Sequence, residues 1–159
     1  LSLPIAMMNS PSLAWNAAFL SNIITFFALP TEAELWPLNV AAACFCLAAT
    51  LFRVVSKKAL GRFYTMTINI FEDHKLITSG PYRYLRHPLY AAFVLFFVAW
   101  PVTQPTRTGM ILAELLGGLP VLLTILTRIR VEEQALRKTF GNEWHDYCAR
   151  TKRLIPWLY

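Results

Sequence analysis

The stretch His74-Lys-Leu-Ile-Thr-Ser-Gly-Pro-Tyr82-Arg83-Tyr-Leu-Arg86-His87-Pro88-Leu89-Tyr90 crowds imidazoles, cations and phenols into one short segment. Gly80-Pro81 signals a turn. Pro88 biases His87 away from helical angles and suits the first turn of a helix. His87 is therefore expected at an N-cap, with the free N–H groups of Leu89, Tyr90 and Ala91 just inside it. A helix start of this kind attracts anions, while the rings of Tyr82, Tyr84 and Tyr90 can stack on a heterocycle or face a cation. The competing reading is an aromatic and basic belt that only anchors a helix.

A second charged stretch runs Arg128-Ile-Arg130-Val-Glu132-Glu133-Gln-Ala-Leu136-Arg137-Lys138-Thr-Phe140-Gly141. It reads as helix, with Gly141 as the C-cap. Glu133 precedes Arg137 in the favourable acid-first order, worth about 0.2–0.5 kcal/mol, and a surface pair accounts for it. Arg128, Glu132 and Leu136 share one face, but Arg128 precedes Glu132 in the weaker order. Turned inward at a membrane boundary, those two charges are expensive and mark function; the alternative is a solvated charged helix. Glu114 is expected to reach the interface or pair with a polar group. His145 and Asp146 read as surface polarity. The sequence holds no G-x-G-x-x-G, P-loop or H-E-x-x-H. Cys44 and Cys46 read as small hydrophobes, Cys148 lies in a basic tail, and no spacing suggests a zinc site or a disulfide framework. No metal is expected.

These groups have to be positioned by very apolar elements. Of the 159 residues, 56% are hydrophobic and 15% charged, against about 45–50% and 25% in ordinary soluble domains. The apolar residues are blocked into long runs, so an integral membrane protein is expected. A soluble enzyme, a disordered tail and a secreted disulfide scaffold are disfavoured. Four apolar spans are read, at about 13–29, 36–52, 88–102 and 110–126; a full span needs roughly 20 residues, and the third is short and read as recessed. Short Pro-containing links join spans one and two, and three and four, as antiparallel hairpins. A polar segment of about 35 residues connects the hairpins, too long for an idle connector.

The formal charge of +6 would suggest nucleic acid in a soluble chain, but its placement decides otherwise. Seven Lys and Arg lie between Arg53 and Arg86, seven from Arg128 to Arg153, and Arg107 stands alone. The first two clusters are expected in the cytosol, where they can also hold anionic headgroups, and the N-terminus is expected there too. Trp15, Trp36, Trp100, Trp144 and Trp157 are all expected near boundaries. The opening Leu-Ser-Leu-Pro lacks a charged region and does not read as a secretory signal, and a first residue other than Met reads as a processed chain or a fragment. The expected fold class is all-α: a polytopic membrane protein of about four transmembrane helices in two hairpins, with a cytosolic connecting segment and a C-terminal helical tail.

The segments Thr78-Ser-Gly-Pro-Tyr-Arg and Arg86-His-Pro-Leu-Tyr90 resemble the isoprenylcysteine carboxyl methyltransferase family, within a group that includes phospholipid N-methyltransferases. So do Glu132-Glu133, Leu136, Phe140-Gly141, Trp144, Tyr147 and the closing Arg153-Leu-Ile-Pro156. The resemblance covers residues 57–159 and departs at Trp144, commonly Tyr in the family. It implies one membrane enzyme domain over 1–159, with an N-terminal helical hairpin at 1–56 and a catalytic part at 57–159. Many relatives carry more N-terminal helices. It implies S-adenosylmethionine as cofactor, contacted by His74, Lys75, Leu76, Ile77, Tyr82, His87, Pro88, Leu89, Tyr90, Ala91 and Glu132. Arg128 stands at the substrate-side position, so Arg128 and Glu132 are the implied catalytic pair. Lys57 and Lys58 stand where the family places a further Arg, and Thr67 is a further position near the cofactor. The implied partners are a prenylated C-terminal cysteine and the lipid bilayer, with no nucleic acid. In a eukaryotic cell the implied membrane is the endoplasmic reticulum, with the site facing the cytosol, as in CAAX processing. The rival expectations are a phospholipid amine methyltransferase, in which Glu132 or Glu133 would act as base, a non-catalytic membrane scaffold and, more remotely, a nicotinamide-dependent membrane reductase.

Overall fold

The computed structural model describes residues 33–64 and 75–154, with Leu20 and Ile24. The first expected span, the positions His74 and Thr67, and the indoles Trp15 and Trp157 therefore lie outside the described residues, as do Ile155 and Pro156. The described chain is helical, and the one strand-like feature among these residues is an isolated parallel bridge between Leu85 and Lys152.

Helix α1 (Trp36–Leu60) carries Pro37 in its first turn and ends at Gly61. Its buried positions Asn39, Ala42, Cys46, Ala49 and Ser56 recur at helical spacing along one face, and nearly all are small. Small residues allow close approach where lipid removes most of the hydrophobic drive for helices to associate. Into that face packs α2 (Pro88–Ala99), whose Phe93, Phe96 and Phe97 are buried. The Phe96 and Phe97 rings meet edge to face at 5.3 Å, and Phe97 meets Trp100 likewise at 6.0 Å. Ser56 and Thr50 return their hydroxyls to the carbonyls of Phe52 and Cys46 at 2.8 Å each, so neither presents an unmet donor to an apolar surrounding. Cys44 is exposed and Cys46 buried, and both thiols are free.

A 3-10 turn (Trp100–Thr103) ends the second helix and Thr106 caps the third, α3 (Arg107–Ala113), by accepting from the Gly109 N–H at 3.1 Å. A π-helical turn, Glu114–Gly118, joins α3 to α4 (Leu119–Arg150). Glycine makes this turn possible: a Cβ on Gly117 would lie 2.6 Å from the Trp100 ring, and one on Gly118 would lie 3.1 Å from the Phe97 carbonyl oxygen. Glu114 opens the turn and folds back over Gly118.

Two helical stretches, Trp36–Phe63 and Arg107–Arg150, are long and apolar enough to cross a membrane, and Pro88–Thr103 is a shorter apolar helix. Only 22% and 11% of the most apolar windows of the two long stretches are buried within the protein. Exposed Leu, Ile, Val and Phe side chains run along α1, α3 and α4. A continuous apolar surface of this kind requires a nonaqueous partner, and the chain is a membrane protein. At one end, Arg107 donates to Glu34 at 2.9 Å and the Asn39 amide donates to the Gln104 carbonyl at 2.7 Å. The described part of the first expected link, 33–35, and the link at 103–109 thus lie at the same end. At the other end Arg86 meets Glu133 and the Cys148 carbonyl of α4.

Gly141 breaks α4 as its cap position leads one to expect: it adopts φ 50°, ψ −115°, a non-helical conformation, and a second helical segment then runs on to Arg150. Trp144 departs from expectation: it is buried beside Tyr147, ring centroids 5.6 Å apart, and packs the tail.

Candidate active site

The His87 segment is built from two distant pieces of chain. Gly80–Arg83 forms a 3-10 turn that buries Tyr82. After α4 the tail returns beside this segment: the Arg86 N–H donates to the Lys152 carbonyl at 2.7 Å, the Lys152 N–H to the Tyr84 carbonyl at 3.1 Å, and the His87 N–H to the Arg153 carbonyl at 3.2 Å. The Tyr147 hydroxyl adds a bond to the Tyr82 carbonyl at 2.7 Å, with the Leu85 carbonyl at 3.3 Å. Burial pushes the Tyr147 phenol far above its ordinary range, so it remains a donor. The tail is a clasp on the loop that precedes α2.

Glu133 locks the clasp. One of its oxygens accepts from Arg86 Nε at 3.2 Å and Arg153 Nε at 3.0 Å, and lies 3.2 Å from His87 Nε2; the other accepts from Arg153 Nη2 at 2.6 Å. Arg86 also donates to the carbonyls of Cys148 and Thr151 at 3.1 and 2.7 Å. Burial by itself raises the Glu133 carboxyl, but the hydrogen bonds from His87 and Arg153 and their charge outweigh it and hold the group at about 2. The expected Glu133–Arg137 surface pair is therefore corrected: donors from the loop and the tail capture Glu133. An ionised carboxylate only accepts, so His87 Nε2 carries a proton.

That leaves His87 Nδ1 on the other side of the ring, 3.9 Å from a Glu132 oxygen. His87 is 2% exposed and Glu132 31%, so the buried imidazole backs a carboxylate open to a ligand. The Tyr90 ring lies against His87, centroids 5.7 Å apart and tilted 47°. Arg128 Nε stands 3.5 Å from the Tyr90 hydroxyl, a long contact. Burial raises the Tyr82 phenol, and the nearby charge of Glu132 raises it further.

Tyr82, His87, Tyr90, Arg128 and Glu132 thus converge, drawn from the turn, the start of α2 and one face of α4. Pro88 and Ala91 are buried behind them, and Leu89 packs on the core. One expectation is corrected here: the Ala91 N–H donates to the His87 carbonyl at 2.9 Å and is not free. Lys75 is exposed and Leu76 and Ile77 half-buried in an irregular segment at 75–78. The arrangement sets a negative group and a positive group one helical turn apart, with phenols between, at the end of an apolar bundle. It can hold a cationic ligand beside an anionic one. The sequence reading missed Glu133 as a clamp and gave no structural part to Tyr147; their partners are far along the chain, and no local spacing signals them.

The family model for the isoprenylcysteine carboxyl methyltransferase (ICMT) family matches residues 41–138. The chain is 29% identical over 148 residues to a probable protein-S-isoprenylcysteine O-methyltransferase of Oryza sativa subsp. indica, covering 92% of this chain and 75% of that protein. It is 32% identical over 85 residues to the protein-S-isoprenylcysteine O-methyltransferase of Schizosaccharomyces pombe, covering 54% and 34% respectively. It is 36% identical over 76 residues to methanethiol S-methyltransferase 1 of Bradyrhizobium diazoefficiens, covering 48% and 24%.

Proposed function

Because the chain belongs to the isoprenylcysteine carboxyl methyltransferase family, we propose that it methylates the C-terminal carboxylate of a prenylated cysteine, using S-adenosylmethionine, at the junction of α2 and α4. The protein is a membrane methyltransferase. The observation that carries the site assignment is the placement of Arg128 and Glu132 on one face of α4, both brought to the start of α2 through Tyr90 and His87.

S-Adenosylmethionine supplies an electrophilic methyl group on a sulfonium sulfur. The residues present suit such a ligand: Glu132 and the faces of Tyr82 and Tyr90 favour a cation, and the start of α2 favours a carboxylate. Glu132 binds the cationic part, the buried His87 ring packs beside it, and Glu133 orients His87. Lys75, Leu76 and Ile77, with His74, are assigned to the donor from the resemblance. Relatives named for a prenylcysteine carboxyl and for a thiol share methyl transfer, which supports assigning the common machinery to the donor.

The acceptor carboxylate is ionised at neutral pH, with an unperturbed pKa of roughly 3.3–3.7, so no general base is required. Arg128 holds it, and a guanidinium fork suits a planar carboxylate. Catalysis then consists of orientation and charge placement. The prenyl chain remains in hydrocarbon along the apolar faces of the bundle. We further assign residues 13–29 to an additional span, giving two hairpins in a multi-pass protein. In a eukaryotic cell we place it in the endoplasmic reticulum with the site toward the cytosol.

The test is kinetic. Arg128→Ala, reconstituted in nanodiscs, should lose at least tenfold in kcat/KM for N-acetyl-S-farnesyl-cysteine, and Arg128→Lys should recover part of it. Near wild-type kcat/KM in Arg128→Ala removes the carboxylate role from this residue.

A further inference from the structure

The opposite face of α4 opens a separate cleft. Its volume is about 670 Å³, and its lining includes Arg86, Arg130, Glu133, Arg137, Trp144 and Arg153. Four arginines face one carboxylate, a local excess of three positive charges. Glu133 is already committed to Arg86, His87 and Arg153. Among the described residues lining the cleft, no second carboxylate stands beside the charges of Arg130 and Arg137. These two lie seven residues apart on α4, two turns on one side of the helix and about 10 Å along its axis. Arg128 and Glu132 do not line this cleft.

Its height on the helix is informative. Arg130 is four residues and Arg137 eleven residues beyond Leu126, the end of the apolar run, which places their backbones about 6 Å and about 16 Å past the hydrocarbon boundary. The headgroup layer is roughly 5–8 Å deep on each side of the bilayer core, so Arg130 stands within it and Arg137 above it, where a long helical side chain leans back toward the helix N-terminus and hence the membrane. Arginine forks match phosphate oxygens in pairs, and at the height of Arg130 a phosphate is presented by lipid. The cleft is also far larger than one phosphate group requires.

We propose that the cleft between Arg130, Arg137 and the Arg86–Glu133–Arg153 clamp binds the phosphate-bearing headgroup of an acidic phospholipid from the cytosolic leaflet. Native mass spectrometry of the detergent-solubilised protein, titrated with short-chain phosphatidic acid, phosphatidylglycerol or phosphatidylcholine, tests it. One saturable acidic lipid is expected, with phosphatidylcholine binding at least tenfold more weakly. Arg130→Gln with Arg137→Gln should weaken acidic-lipid binding at least tenfold while keeping the thermal midpoint and methyl transfer. Lys138→Gln, an equal loss of charge on the same helix outside the cleft, should change binding less than twofold. Retained binding in the double variant, or equal loss in Lys138→Gln, overturns the site. Inorganic phosphate that displaces the lipid at comparable concentration assigns the cleft to free phosphate and overturns the lipid. Because the readout is binding, it stands apart from the identity of the methyl acceptor.

Discussion

Removing the charge of Glu133 while keeping its shape is the sharpest perturbation of the site's support. Glu133→Gln leaves Arg86 and Arg153, whose side chains are 14% and 30% exposed, facing a neutral amide. Holding a carboxyl at about 2 instead of 4.5 corresponds to about 3 kcal/mol. An exposed ion pair would give only about 0–1 kcal/mol, so the two cases separate well. At about 2–4 °C per kcal/mol for a chain of this size, the thermal midpoint of Glu133→Gln in detergent at pH 7 should fall by about 6–12 °C. The pH dependence has a fixed sign. A carboxyl held low in the folded state stabilises it fully above the unfolded pKa, and that stabilisation is lost as pH falls through 4.5 toward 2. The gap between wild type and variant should therefore be constant near neutrality and close in acid. A midpoint within about 2 °C of wild type at pH 7, or a gap that persists unchanged at pH 2, would refute the clamp.

Glu132→Ala should weaken S-adenosylhomocysteine binding by about 10–100-fold, the loss of one charged hydrogen bond, measured by isothermal titration; unchanged affinity removes Glu132 from the donor site. Tyr147→Phe deletes the bond to the Tyr82 carbonyl and should cost about 1 kcal/mol, seen as a lower midpoint with the helical circular dichroism signal retained. Gly141→Ala forces a side chain into φ 50°, ψ −115° and should cost about 1–3 kcal/mol, read from the same melts; a stabilised variant would contradict the kink.

What could be read from the sequence follows the range of the forces. The helices of the described residues were legible because their signals are local: apolar runs, Pro88 at a first turn and Pro-containing links. The pairing of Arg128 with Glu132 was legible for the same reason, since helical spacing fixes a face, whereas the resemblance alone joined Tyr90 to them. Glu133 was misassigned because its i+4 neighbour Arg137 offers a weak exposed pair, whereas Arg86 and Arg153 reach it from 47 and 20 residues away. Trp144 carries the composition of an interfacial residue, but burial against Tyr147 was set by the returning tail. The π turn at Glu114–Gly118 was invisible because it depends on the Trp100 ring filling the space that Gly117 leaves.

The central claim is that a prenylated carboxylate accepts the methyl group where Arg128 and Glu132 meet the start of α2. Mass spectrometry after incubating the purified protein with methyl-labelled S-adenosylmethionine, N-acetyl-S-farnesyl-cysteine and phosphatidylethanolamine tests it directly. The account predicts one labelled methyl on farnesyl-cysteine, released by mild base as expected of an ester, and none on the lipid. Label on the phosphatidylethanolamine nitrogen, with farnesyl-cysteine unchanged, would contradict it.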